Sequence, residues 1–135
     1  MALSLRAQKA EALFRARNSD FELEKLHSSL DPTSGPCPCC GIPSYPTGYV
    51  WGQYDICHFC HWEDDPGDYQ CEDISGSNHE NFWQFSEARI VAKHLIADAR
   101  ERGFEFGWVS FDEVDGLYNG PDYFKANNRH LRESS

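Results

Sequence analysis

Two Cys-x-x-Cys pairs, Cys37/Cys40 and Cys57/Cys60, stand sixteen residues apart in a chain of 135. Four thiolates at that spacing suit one tetrahedral zinc ion, each pair closing a tight turn whose sulfurs converge on one side of the metal. The intervening residues can run out and back as a hairpin and set the second turn opposite the first. Pro38 presets a turn dihedral, and Gly41 permits a positive φ that swings backbone N–H groups toward the sulfurs. Such donors matter because four thiolates around a dication leave about two negative charges to be stabilised. Competing uses of the four are two disulfides or free buried thiols, and iron is an alternative ion. Four sulfurs close the coordination shell, so the expected site is structural and holds one Zn2+.

The remaining reactive side chains lack a comparable pattern. Cys39 lies between two expected ligands; it could replace one of them, act as a redox-sensing thiol, or turn away from the metal, which is the reading adopted. Cys71 has no partner at ligand spacing and reads as a core or surface thiol. His58 and His61 flank the second pair and are assigned to hydrogen bonding or packing beside it. His79 and His94 are isolated, and no nucleophile–base pair emerges from spacing. The stretch Trp62-Glu63-Asp64-Asp65 could supply paired carboxylates for a second metal or for acid–base work. Adjacent carboxylates in a Pro/Gly loop usually form a solvated turn. The functional alternative is docking, with the acids steering a basic protein surface and Trp62 as an exposed anchor.

Charge narrows the function classes. Residues 31–85 hold nine Asp/Glu and no Lys or Arg, whereas residues 1–30 hold four acids and five bases, and residues 86–135 nine acids and seven bases. The metal-binding segment is therefore strongly acidic. Direct nucleic-acid binding, a common use of zinc ribbons, needs Lys and Arg to neutralise phosphates and is not expected here. No run of about eighteen apolar residues occurs, so no membrane span is expected. The first residues lack the continuous apolar stretch of a secretory signal, and the expected compartment is the cytoplasm.

These residues must be positioned by elements that the pattern also suggests. Residues 2–30 are Ala/Leu-rich without Pro or Gly, with apolar Leu3, Ala7, Ala10, Leu13 and Phe14 at helical spacing. Ser19 and Glu22 form a capping-box pattern, so a break near Asn18 and a second helix with Phe21, Leu23, Leu26 and Leu30 are expected, the pair packing on the metal core. Asp31 to Pro36 forms a linker. Tyr45 to Tyr54, aromatic and punctuated by Pro46, Gly48 and Gly52, suits short twisted strands. A turn-rich acidic loop follows at Glu63–Asp68, and irregular chain continues through Gly76-Ser77-Asn78. Ser86 is expected to cap a helix reaching Arg102 and stopping at Gly103, with Phe85 and Ile90 as a hydrophobic staple. Phe104–Trp108 alternates like a strand, Ser110 and Glu113 suggest another capped turn, and Pro121 suits the start of a final helix.

The motif Cys37-Pro38-Cys39-Cys40-Gly41, then Tyr54-Asp55-Ile56-Cys57-x-x-Cys60-x-Trp62-Glu63-Asp64-Asp65, then Gly76-Ser77-Asn78 and Ser86-x-Ala88-Arg89, resembles the cysteine-rich CPCC family of small bacterial proteins. The resemblance spans roughly residues 36–90 and implies a zinc-ribbon-like domain without an established enzymatic activity. The helical N-terminal segment and aromatic C-terminal region extend beyond it. The expected fold is α+β: residues 1–30 as a helical segment, 36–85 as an acidic four-cysteine ribbon core, and 86–135 as helices with a short aromatic strand, packed as one unit. The expected function is non-enzymatic. It is zinc-dependent binding of a basic protein partner through Trp62, Glu63, Asp64 and Asp65, as an immunity protein neutralising a toxin such as a nuclease would require. The alternatives are a thiol or metal sensor using Cys39 and a small metal-dependent hydrolase.

Overall fold

The computed structural model describes residues 3–30, 34–47, 53–65, 68, 74 and 76–114. These are mostly helical: α1 (Leu5–Arg17), α2 (Asp20–Ser29), β1 (Ser34–Gly35), β2 (Tyr45–Thr47), α3 (Gly76–Asn81) and α4 (Phe85–Glu101). The two strands are minimal and pair antiparallel with an irregular register; an isolated bridge between Ile56 and Glu63 is the other strand-like pairing among the described residues. The expected helices and four-cysteine core are present, while strand content among the described residues is far smaller than an α+β ribbon implies. The metal-binding segment holds its shape through turns and a helix-lined core.

The break between the first two helices falls where the caps demand it. Asn18 ends α1, and the Ser19 hydroxyl accepts the N–H of Glu22 at the start of α2. On α1 the buried face is Ala7, Ala10 and Phe14, whereas Leu5 and Leu13 point to solvent. That Ala-rich stripe lets α1 lie close against α4, which buries Ala88, Val91, Ala92, Leu95 and Ala99.

Glu87 fastens the near ends of these two helices. Its carboxylate accepts the N–H and hydroxyl of Ser4, at 2.8 and 2.9 Å, and the N–H of Trp83 at 2.8 Å. The reach back to Trp83 does for α4 what Ser86 was expected to do. The cap residue is Gln84, with no side-chain cap bond, while Phe85 and Ser86 already lie inside the helix. Phe85 therefore cannot act as the staple residue ahead of the cap; it packs on Trp62 instead. At the far end the stop at Gly103 is as expected. Gly103 has φ +90°, its N–H reaches the Arg100 carbonyl, and the Phe104 N–H reaches that of Ala99. Arg102 then ties this end to the α1–α2 corner through Asn18 O (2.7 Å) and Asp20, and is itself steadied by Asp98 of α4.

Two further expectations change. Gly76-Ser77-Asn78 opens α3 and is not irregular chain. Phe104–Trp108 forms no strand: Phe106 is buried and Glu105 exposed, so the alternation holds, but Gly103 and Gly107 both take positive φ and no ladder partner adjoins among the described residues. The turn capped by Ser110 is present, with the Glu113 N–H on its hydroxyl. The expectations for Cys71, for Gly48 to Gly52 and for a helix from Pro121 lie outside the described residues.

Candidate metal centre

Each Cys-x-x-Cys pair is a knuckle, and the two knuckles repeat one another. In the first, the Cys37 N–H donates to Ile42 O, the Gly41 N–H to Cys37 O, and the Cys39 N–H to Cys37 Sγ at 3.4 Å. In the second, the Cys57 N–H donates to Trp62 O, the His61 N–H to Cys57 O, and the Phe59 N–H to Cys57 Sγ at 3.4 Å. The residue after each second cysteine is left-handed: Gly41 at φ +80° and His61 at φ +61°. Glycine meets that demand at no steric cost, whereas histidine must be held there. The holding contact is Phe14, whose ring stacks on His61 with centroids 4.5 Å apart.

The four expected ligands come together. Cys37, Cys40, Cys57 and Cys60 are all buried, and their sulfurs lie within 4.8 Å of one another. Across the two knuckles, Cys37 Sγ is 3.6 Å from Cys60 Sγ, and Cys40 Sγ is 3.7 Å from Cys57 Sγ. A tetrahedron of thiolates around zinc has edges of about 3.8 Å, given bonds near 2.3 Å, so the cluster has the size of one such shell. The Ser44 hydroxyl adds a donor to Cys57 Sγ at 3.4 Å. Burial pushes the thiols of Cys37, Cys40 and Cys60 well above their usual range. Cys57 is also pushed up by burial, but hydrogen bonds from the other three thiols outweigh this and hold it well below its usual value. Four buried sulfurs at this spacing can be held as thiolates only with a cation among them to balance the charge.

Each knuckle is clamped from outside. Above the first, the Arg89 guanidinium donates to Pro38 O at 2.9 and 3.3 Å and lies over the rings of Phe85 and Phe111. A Cβ built on Gly41 would stand 2.1 Å from the carbonyl oxygen of Val109, whose N–H donates to Gly41 O. Beside the second, Asn18 donates to Phe59 O at 2.9 Å. Asn78 accepts the Glu63 N–H at 2.8 Å, donates back to Glu63 O at 2.9 Å and reaches Asp68 at 3.1 Å. The sequence motif included Asn78 and Arg89, but nothing in it assigned them to the knuckles. A signal for Arg89 was present, as it is the first basic residue after Lys25.

A cysteine-rich CPCC family model matches residues 35–103, just over half of the chain. The chain belongs to the cysteine-rich CPCC family. Within this CPCC chain the match begins just before the first knuckle and ends at Gly103, so both knuckles, Asn78 and Arg89 fall inside it, while α1 and α2 fall outside. No curated protein matches, and no solved structure matches.

The other candidate residues take different places. Cys39 is buried outside the four-sulfur group, and burial pushes its thiol up, so it lacks the exposed thiolate of a sensor. Trp62 is corrected: it is 0% exposed and packs on Phe82 and Phe85, so it cannot serve as a surface anchor. Asp64 is buried, Asp65 is half-buried, and Glu63 accepts the Ser77 hydroxyl at 2.6 Å. Among the described residues these carboxylates form no metal-sized group. Of the flanking histidines, His58 is exposed, and His61 packs on Phe14 as expected. His79 packs tilted against Trp83 and its carbonyl accepts from Arg6, while His94 pairs with Glu11, so both fasten α1 to its neighbours. Among the described residues no helix is long and apolar enough to cross a membrane.

Proposed function

We propose that this CPCC protein is a non-enzymatic, cytoplasmic, zinc-stapled module that binds a basic protein partner. The observation that carries this reading is the pairing of a buried four-cysteine cluster with a surrounding segment, residues 31–85, that has nine acids and no base. Zinc is the ion that best suits four thiolates in a closed tetrahedral shell, and it would fix the two knuckles against one another in a ribbon-like arrangement. Reduced cysteines of this kind belong to a reducing compartment.

With Trp62 buried, the anchor moves to its neighbours across the bridge. Tyr54 and Ile56 are 56% and 48% exposed, and Asp55 between them is exposed. Backbone bonds from Tyr54 to Asp64 and from Asp64 to Asp55 hold this run against the acidic loop. A hollow of about 410 Å³ adjoins it, lined in part by Ser44, Tyr45 and His58. A ring and an isoleucine beside Asp55 and Asp65 offer apolar anchoring with charge steering. Neutralisation of a basic toxin, as by an immunity protein, is one form that such binding would take.

The test is affinity capture with the full chain, with the captured partners identified by mass spectrometry at low and high salt. A basic partner should be retained at low salt, weakened by salt, and lost from an Asp55→Lys/Asp65→Lys variant. Partners held equally by that variant at high salt contradict the electrostatic reading.

A further inference from the structure

We propose that the groove between the α1–α2 corner and the second knuckle binds a small organic phosphate. This groove encloses about 540 Å³, within the range of small-molecule sites, which run to about 1,000 Å³. Its charge is opposite to that of the segment beneath it. Arg17 and Lys25 line it, both without an ion-pair or hydrogen-bond partner among the described residues, and one carboxylate, Glu22, faces them. The ion pairs of Arg15, His94, Arg100 and Arg102 lie elsewhere, on Glu11, Glu105, Asp20 and Asp98.

The remaining walls suit a phosphate ester better than a bare anion. His58, His61 and Leu26 also line it, so the groove has room and partly apolar surface for an organic body. The Nε2 atom of His61 is buried and has no hydrogen-bond partner among the described residues. Its ring cannot swing freely, because the backbone is left-handed and Phe14 stacks on it. The corner is equally fixed: Asn18 is bonded to Phe59 O, and Arg102 holds Asn18 O. A guanidinium fork and an ammonium at the rim are the donors that a phosphate dianion takes.

The groove draws on α1 and α2, which lie outside the family match, and on the second knuckle, which lies inside it. The ligand is therefore assigned to this chain's own N-terminal helices in combination with the shared core.

Calorimetric titration of the metal-loaded full chain with phenyl phosphate, inorganic phosphate and sulfate, at low ionic strength, tests this. Phenyl phosphate should saturate one site, and inorganic phosphate should compete for it more weakly. An Arg17→Gln/Lys25→Gln variant should lose at least about tenfold in affinity, the loss of one charge-assisted hydrogen bond or more. Its metal content and circular dichroism should be unchanged, since both side chains are exposed on helix surfaces. Equal affinity for phenyl phosphate and phosphate overturns the organic body and assigns the groove to free phosphate. An unsaturable response shared with sulfate, or binding untouched by the double variant, overturns the site itself.

Discussion

The two knuckles make the same backbone bonds and differ in how the rest of the chain braces them. The first rests on the C-terminal half: Arg89 of α4 holds Pro38, and the Val109 backbone closes over Gly41. The second rests on the N-terminal helices and α3, through Phe14 on His61, Asn18 on Phe59 and Asn78 on Glu63. One turn is closed by backbone packed too tightly for any Cβ, the other by side chains around an unfavourable dihedral. The metal is what would make these two different supports a single structure.

Substitutions can separate what the knuckles share from what they do not. The largest effect should be common to both. Cys37→Ser and Cys57→Ser should each lose the metal and the cooperative unfolding transition, since structural zinc contributes about 10 kcal/mol or more to folding. Calorimetry with metal analysis checks this, and a knuckle that tolerates the change would show that the halves are independent. Acid should act in the same direction. The ligand thiols must be deprotonated to bind metal, and burial raises three of them, so metal release should increase as the pH falls.

The next effect should break the symmetry. Gly41→Ala meets both a left-handed dihedral and the Val109 carbonyl, and should cost more than about 3 kcal/mol. His61→Ala keeps the dihedral strain already present and loses mainly the ring stack on Phe14, about 1 kcal/mol. Denaturant titrations of the metal-loaded variants compare the two, and equal costs would contradict the difference in bracing. Between these lies Asn78→Ala, which removes bonds to both backbone groups of Glu63 and to Asp68, at about 2–3 kcal/mol. Arg89→Met removes the bonds to Pro38 O and the guanidinium that lies over Phe85 and Phe111, and should cost about 1.5–2 kcal/mol, since an unbranched apolar chain of similar length remains to fill the space.

The same contrast explains what was legible in the sequence. Cys37, Cys40, Cys57 and Cys60 announced themselves because a four-thiolate site requires fixed local spacing, and Ser19 and Gly103 did so because caps are local chemistry. The bracing is non-local. Glu87 bonds Ser4 across 83 positions, and Arg89 bonds Pro38 across 51, distances over which no periodicity speaks. Trp62 was misplaced because a tryptophan beside three acids reads as a loop residue, whereas the Ile56–Glu63 bridge turns alternate side chains inward and puts Trp62 under α4. Phe104–Trp108 alternates like a strand, but alternation marks only which side is buried and cannot supply a pairing edge.

Native mass spectrometry of the full chain tests the central claim most directly. The wild type and a Cys39→Ser variant should each carry one zinc ion, whereas Cys37→Ser, Cys40→Ser, Cys57→Ser and Cys60→Ser should each carry none. A Cys39→Ser variant that loses its metal, or a wild-type chain that binds none in zinc-containing buffer, would contradict a shell closed by those four sulfurs.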